Sequence, residues 1–300
     1  MIKVENVTKN YRSVEALKGI SFEVKKGQLY GLIGPDGSGK TSLFRILTSL
    51  LIPSGGKATV KGFDTVKDYK SIRKIVGYMP EHFSLYMDLT VEENLNFFAT
   101  VFNTTVEENY HLIEDIYKML EPFKHRRAGA LSGGMKQKLA LSCALIHKPD
   151  VLLLDEPTTG VDPVSRKEFW DMLRKLKTTG MTTLVSTPFM DDAELCDEVA
   201  LIQNGNILTI DTPAGVAEKY PHKLWKIETE NNYKTLKAFE TFDNKISVFS
   251  FGHSVHLATD DDVPEKIIRE HLMKNDINIE NIKPINASIE DVFMELMKNE

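Results

Sequence analysis

The stretch LYGLIGPDGSGKTSLFRILTSL, residues 29–50, changes character twice. Leu29–Ile33 is a short apolar run, the composition of a strand buried on both faces. It stops at Gly34, and helical spacing of apolar residues predicts a helix over 42–51. Between the two, Gly34, Pro35, Asp36, Gly37, Ser38, Gly39, Lys40 and Thr41 satisfy G-x-x-x-x-G-K-[ST] in the strand, loop and helix setting that the pattern requires. The glycines let successive backbone N–H groups turn inward around phosphate oxygens. Lys40 brings charge to the terminal phosphates and Thr41 offers its hydroxyl to magnesium, while Ser42 continues into the helix N-terminus with its partial positive charge.

A second stretch sets the kind of sheet. VLLLDEPTTGVDP, residues 151–163, is four apolar residues ending in Asp155, an arrangement that carries a carboxylate from a buried strand to the carboxyl edge of a parallel sheet. A helix over 164–177 and a β-branched strand over 183–186 complete a βαβ unit. Asp155 is expected to hold magnesium through its water shell. Glu156 points to the other side of the chain, where a second carboxylate orients and activates a water against a γ-phosphate. An acidic strand end alone is a common structural device; the phosphate loop upstream gives it chemical meaning.

Working outward, strands are expected at 2–7 and 20–24, and helical spacing over 91–102 and 113–120 predicts a helical insert, with Thr90 and Glu93 as its capping box. Runs at 199–203 and 207–210 around Asn204-Gly205 read as a hairpin. Beyond Tyr220-Pro221 the composition shifts: residues 223–300 hold ten basic and fifteen acidic residues, a net −5 out of −6 for the whole chain. Their order of strand, helix, strand, strand, helix, strand and helix is that of a ferredoxin-like βαββαβ unit with one extra helix. The division expected is 1–218 and 219–300, with the insert at about 90–140.

Three hundred residues with 42% hydrophobic content support two ordinary cores without staples. Acid and base are well mixed, and the basic run at 124–127 reads as a solvated helix end, so no nucleic-acid partner is expected. Cys143 and Cys196 are too few for a disulfide framework and sit in apolar surroundings, which fits inert buried thiols in a reducing compartment. The opening MIKVENVTKNY lacks a basic-then-apolar leader, and no apolar run approaches the ~18 to 20 residues that span a bilayer, so any membrane role is expected to need a partner.

LSGGMKQKLALSCAL, residues 131–145, is a Ser-Gly-Gly turn opening a helix, alone an ordinary N-terminal cap. Together with the other motifs it makes the chain resemble the ATPase domain of the ATP-binding-cassette transporters over residues 1 to about 218, with LSGGM as the signature and Met135 where glutamine is usual. The resemblance implies an α/β P-loop fold with an antiparallel N-terminal β-subdomain and a helical insert. It implies two domains sandwiching two ATP molecules with Mg2+, each ATP between one domain's phosphate loop and the other's Ser132, Gly133 and Gly134, with Asp162 in the loop between them. Tyr11 matches the aromatic that stacks on adenine, and Phe83, Leu85 and Tyr86 fall on the surface that receives the coupling helix of a transmembrane subunit.

The chain departs from the family at the γ-phosphate. GYMPEHFSLYMDLTVEEN, residues 77–94, has Glu81 where the family has glutamine, and STPFMDDAE, residues 186–194, has Pro188 where the family has the switch histidine. Proline has no side-chain donor and no backbone N–H, while Glu81 offers a carboxylate that could still ligand the metal. Asp36 replaces the more usual asparagine. These features are similar to the first cassette of the tandem ATPases of drug-type exporters, and the acidic tail matches the small regulatory or dimerisation domain of that branch. The implied protein is a cytoplasmic ATPase, peripheral on the inner face of the membrane and weak alone, that drives export through a membrane subunit beside a second cassette. A non-hydrolytic ATP-gated clamp and a non-transport ATPase of the same superfamily are the rival readings.

Overall fold

The computed structural model describes residues 1–299, and Glu300, the last residue of the expected tail, lies outside the described residues. The chain divides into two units, Met1–Pro213 and Ala214–Glu300, so the divide falls before the short helix Pro213–Glu218 has run its course rather than at 218.

In the first unit the strands are β1 (Ile2–Tyr11), β2 (Val14–Val24), β3 (Leu29–Ile33), β4 (Gly55–Val60), β5 (Phe63–Asp64), β6 (Val76–Met79), β7 (Val151–Asp155), β8 (Thr182–Thr187), β9 (Glu198–Gln203) and β10 (Asn206–Asp211). They form a four-stranded antiparallel sheet, β2-β1-β4-β5, and a six-stranded sheet, β10-β9-β3-β8-β7-β6, in which only the β9–β10 hairpin pairs antiparallel. Every residue of β3, β7 and β8 is buried, as continuous apolar or β-branched runs in a sheet covered on both faces should be. The helix after the phosphate loop, Lys40–Leu47, joins the layers. Leu43, Phe44, Ile46 and Leu47 share one core with Ile2, Val4 and Phe22 of the antiparallel sheet and with Leu32, Leu153 and Leu184 of the parallel one. That helix ends short of the expected residue 51 because Thr48 bonds back to the Phe44 carbonyl and Ser49 takes a left-handed φ of 59°.

The insert is helical, with Val91–Val101, Val106–Tyr117 and Gly133–Leu145. Thr90 and Glu93 form the expected capping box. A second box, Thr105 with Glu108, starts the next helix several residues before the expected 113. Both cysteines are buried, and burial pushes both thiols up, away from reactivity.

Register positions the chemistry. Ile33 pairs Thr187 and Asp155 pairs Ser186, while Met79 pairs Leu154, so four strand ends open on one edge of the sheet in the order β3, β8, β7, β6. Gly34, Pro188, Glu156 and Glu81 therefore leave the sheet side by side, as the carboxyl edge of a parallel sheet requires of a ligand site.

In the second unit β11 (Lys223–Thr229), β12 (Ser247–Phe251), β13 (Ser254–Thr259) and β14 (Ile279–Ile285) form an antiparallel sheet ordered β12-β13-β11-β14. With helices Asn232–Phe239 and Glu265–Lys274 between strands and Ile289–Leu296 after them, this is the ferredoxin-like order plus one helix. Trp225, Ile227, Phe239, Leu257, Ile268 and Leu272 build its own core. A chain ending at residue 218 is accordingly expected to fold and to bind nucleotide as the full chain does, measured by circular dichroism and nucleotide titration. Precipitation of the shortened chain, with the full chain soluble, would show the tail to be part of the first unit's fold.

Candidate functional site

The phosphate loop is shaped by positions that exclude a side chain. A Cβ on Gly34 would lie 2.1 Å from the Ile202 carbonyl oxygen, and one on Gly39, whose φ is 106°, would lie 2.4 Å from that of Ala16. The Gly34 N–H donates to the Thr187 carbonyl at 3.2 Å, and Gly205 of the hairpin donates to the Ser38 carbonyl at 3.1 Å. The loop is thus held from both sides by β8 and by the β9–β10 turn.

Lys40 lies inside it. Its Nζ donates to the carbonyls of Gly34 and Pro35, each at 2.8 Å, and pairs with Glu156 Oε1 at 3.1 Å, with side chains only 2% and 7% exposed. Glu156 takes a left-handed φ of 50°, a strained conformation for a residue with a long side chain. Hydrogen bonds over-determine it: its N–H is shared between Ser186 Oγ at 2.9 Å and the Ser186 carbonyl at 3.2 Å, and Thr159 Oγ1 donates to its Oε2 at 3.2 Å.

Asp155 is fully buried. Its Oδ1 accepts from Ser186 Oγ at 2.7 Å, and its Oδ2 has no hydrogen-bond partner. Burial raises its pKa first of all; the hydroxyls of Ser186 and Thr41 oppose that shift, and the charges of Glu156 and Glu81 add to it. A buried carboxylate with one bare oxygen, beside a threonine hydroxyl and two further carboxylates, is an oxygen-rich set suited to a hard divalent cation. Ser38 Oγ is a second buried atom without a partner, in the loop itself. Both observations fit a magnesium–nucleotide complex.

Ala16, Asp36, Gly37, Gly39, Lys40, Thr41, Ser42, Glu81 and Glu156 line a cleft of about 280 Å³. At its rim Tyr11 is 40% exposed, its hydroxyl 3.2 Å from Ser42 Oγ and its ring under Lys9 Nζ at 5.2 Å.

Pro188 follows Thr187 at the end of β8 and does not line the cleft. A polar network clamps the segment after it: Thr187 Oγ1 donates to Asp192 Oδ2 at 2.8 Å, Arg166 donates to Asp192 Oδ1 at 2.8 and 3.0 Å, and the Arg166 guanidinium lies 4.1 Å from the Phe189 ring centre. Ser132, Gly133, Gly134 and Asp162 do not line the cleft either. Ser132 caps the helix Gly133–Leu145, and Asp162 caps Pro163–Thr178 through the N–H groups of Val164 and Ser165 at 3.1 and 3.0 Å. The first turns of the two helices touch: a Cβ on Gly134 would lie 2.4 Å from Ser165 Oγ, so glycine is what lets them meet. Ser132, Gly133 and Asp162 are exposed.

Phe83, Leu85 and Tyr86 lie near a separate apolar groove of about 410 Å³, lined by Leu50, Met79, Leu85, Phe98 and Val101 among others. Leu85 is buried in it, and Tyr86 is exposed with its ring edge-on to Phe97 at 4.8 Å. Ser186 and Thr159, which hold Asp155 and Glu156, are missed by sequence reasoning. The signal for Ser186 is a serine inside a strand of buried residues, and it acquires meaning only once β7 and β8 are in register.

Comparison with known proteins gives the same picture. Residues 17–159 match the ABC transporter family model. The chain is 39% identical over 286 residues to the "Probable multidrug ABC transporter ATP-binding protein YbhF" of Escherichia coli (strain K12), an alignment covering 94% of this chain and 49% of that protein, so the chain spans about half of its length. It is also 39% identical over 232 residues to "Nod factor export ATP-binding protein I" of Burkholderia orbicola, covering 76% of this chain and 73% of that one. Among solved structures, an "ATP binding subunit of ABC transporter" superposes with a TM-score of 0.67 at 26% identity, over 73% of this chain and 93% of that one. A dimeric, post-hydrolysis ATP-binding cassette "bound to ADP and Pi" superposes with a TM-score of 0.64 at 27% identity, over 71% of this chain and 98% of that one.

Proposed function

This chain belongs to the ABC transporter family as an ATP-binding-cassette ATPase, and from that premise we propose that it binds Mg-ATP and drives export through a separate membrane subunit in a dimer with a second cassette. The observation that carries the reading is the cleft itself, which Lys40, Thr41 and Glu156 line from one loop and one strand end, with Asp155 buried next to Glu156 at the end of β7. Mg2+ would be held by Thr41 and Asp155, with Glu81 in reach as a third oxygen ligand, and would neutralise charge on the β- and γ-phosphates. Asp36, Gly37 and Gly39 offer their backbone N–H groups, Lys40 exchanges the Gly34 and Pro35 carbonyls for phosphate oxygens, and Tyr11 orients the base. Released from Lys40, Glu156 holds and polarises the attacking water.

None of the described helices is long and apolar enough to cross a membrane. The groove between Met79 and Phe98, lined by exposed Leu50 and Val101 and flanked by exposed Tyr86 next to its lining residue Leu85, is the surface proposed to take an apolar helix of the membrane subunit. On this reading the chain works on the inner face of the membrane. Its substrate class follows the export proteins it resembles.

The test is co-purification of a membrane-spanning subunit with the tagged chain from membranes of its own cells. Wild type should retain that subunit and should bind ATP only weakly in EDTA. A Tyr86→Glu, Leu50→Glu variant should keep ATP binding and lose the subunit. Retention unchanged by both substitutions would remove the groove from the reading, and ATP binding indifferent to magnesium would remove the site.

A further inference from the structure

Among the side chains of β8, Ser186 stands apart. It is fully buried, and its hydroxyl uses both of its capacities on the site: it donates to Asp155 Oδ1 at 2.7 Å and accepts from the Glu156 N–H at 2.9 Å. The sheet does not need this hydroxyl, because β7 and β8 are already paired through their backbones from Val151↔Thr182 to Asp155↔Ser186. Both groups it holds are unusual. Asp155 Oδ2 is buried without a partner, and Glu156 sits at a φ of 50°.

We propose that Ser186 is a positioning residue for the metal and for the catalytic carboxylate. By capping Oδ1 it leaves Oδ2 as the oxygen Asp155 presents, in a fixed rotation, toward the metal position. With the same oxygen atom it is the nearer of two acceptors, beside its own backbone carbonyl at 3.2 Å, that anchor the left-handed turn aiming Glu156 at Lys40. The residue after it, Thr187, accepts from the Gly34 N–H at 3.2 Å, so the same strand end also sets the phosphate loop. With proline at 188 this strand end presents no donor of its own at the switch position, and Ser186 is the side chain through which β8 bears on the reaction. The inference rests on the reading of Asp155 as the residue that holds magnesium.

The experiment uses the full chain and a fluorescent ATP analogue, titrated with MgCl2 at fixed nucleotide and titrated separately in EDTA. Ser186→Ala is expected to raise the Mg2+ concentration at half-saturation by about tenfold, the usual effect of removing an outer partner of a metal ligand. Metal-free nucleotide affinity is expected to move less than about twofold, because no phosphate-binding group is touched. Ser186→Thr, which keeps the hydroxyl, should stay near the wild-type magnesium midpoint. Should the alanine variant not fold, Ser186→Cys, similar in size but a weak donor, carries the same measurement. Equal shifts with and without metal would reduce Ser186 to a packing residue, and no shift in either would also overturn the proposal. A wild-type curve independent of magnesium would instead bring down the parent reading of Asp155, and this inference with it.

Discussion

Lys40→Ala is expected to weaken Mg-ATP binding about 100-fold and, separately, to destabilise the chain in the absence of nucleotide. The first effect is the loss of charge-assisted hydrogen bonds to phosphate, worth about 1.5–3 kcal/mol each, where 1.4 kcal/mol is tenfold. The second comes from the ion pair. Lys40 and Glu156 are almost wholly out of water, 3.1 Å apart, and removing the lysine leaves Glu156 a buried carboxylate with only the Thr159 hydroxyl beside it. Breaking a buried pair from one side costs about 3 kcal/mol, whereas removing both charges is close to neutral. A Lys40→Met, Glu156→Gln double variant should therefore regain most of the stability and none of the nucleotide affinity. Calorimetric titration with ATP and thermal melts without it separate the two effects. Titration curves for Lys40→Ala that overlay wild type would mean that the phosphates are not held where the loop places them.

The difference between these effects also marks what a sequence can disclose. The phosphate loop, β7, the β9–β10 hairpin and the order of the second unit were legible because each is a local pattern: a glycine spacing, an apolar run, an Asn-Gly turn. β4 was not legible, since GGKATV opens with two glycines that read as a breaker, and Gly56 does adopt a φ of 77°. β6 is only four residues long and carries a glycine. The helix Val106–Tyr117 was expected at 113–120 because its first turn is polar, and only the Thr105–Glu108 capping box betrays its start. In the site, residue types were readable but relations were not. The Lys40–Glu156 pair depends on a left-handed φ at Glu156, and the role of Ser186 depends on the register of two strands thirty residues apart in sequence. Neither is a property of spacing.

Alone, the chain is expected to hydrolyse ATP feebly, and restoring two side chains should raise its turnover by about 100-fold. The reason lies at the end of β8. The carbonyl of Thr187 and the hydroxyl of Ser186 are both occupied within the protein, and Pro188 adds no donor for charge developing on a γ-phosphate. A missing donor of that kind commonly lowers the rate by about 10²-fold. Glu81, which lines the cleft, compounds this by bringing negative charge where an amide would be neutral. The variant that tests the point is Pro188→His with Glu81→Gln, assayed for ATPase activity beside wild type; equal rates would make the switch position irrelevant. The same chain nevertheless presents an intact Ser132, Gly133, Gly134 cap, with Ser132 and Gly133 exposed and Gly134 buried against Ser165, absent from its own cleft. A helix N-terminus of this form offers N–H groups and partial positive charge to an anion. The hypothesis that follows is an asymmetric pair. ATP held by Lys40 and Thr41 turns over rarely and keeps the two cassettes together, while ATP brought by a partner's phosphate loop against Ser132 is hydrolysed in each cycle. Ser132→Arg in the paired complex should then abolish most of the turnover while leaving the ATP bound at Lys40 in place, because the arginine fills the partner's site and not this one. Full activity in that variant would show that the working site is completed by some other surface, and the division of labour between the two sites would have to be abandoned.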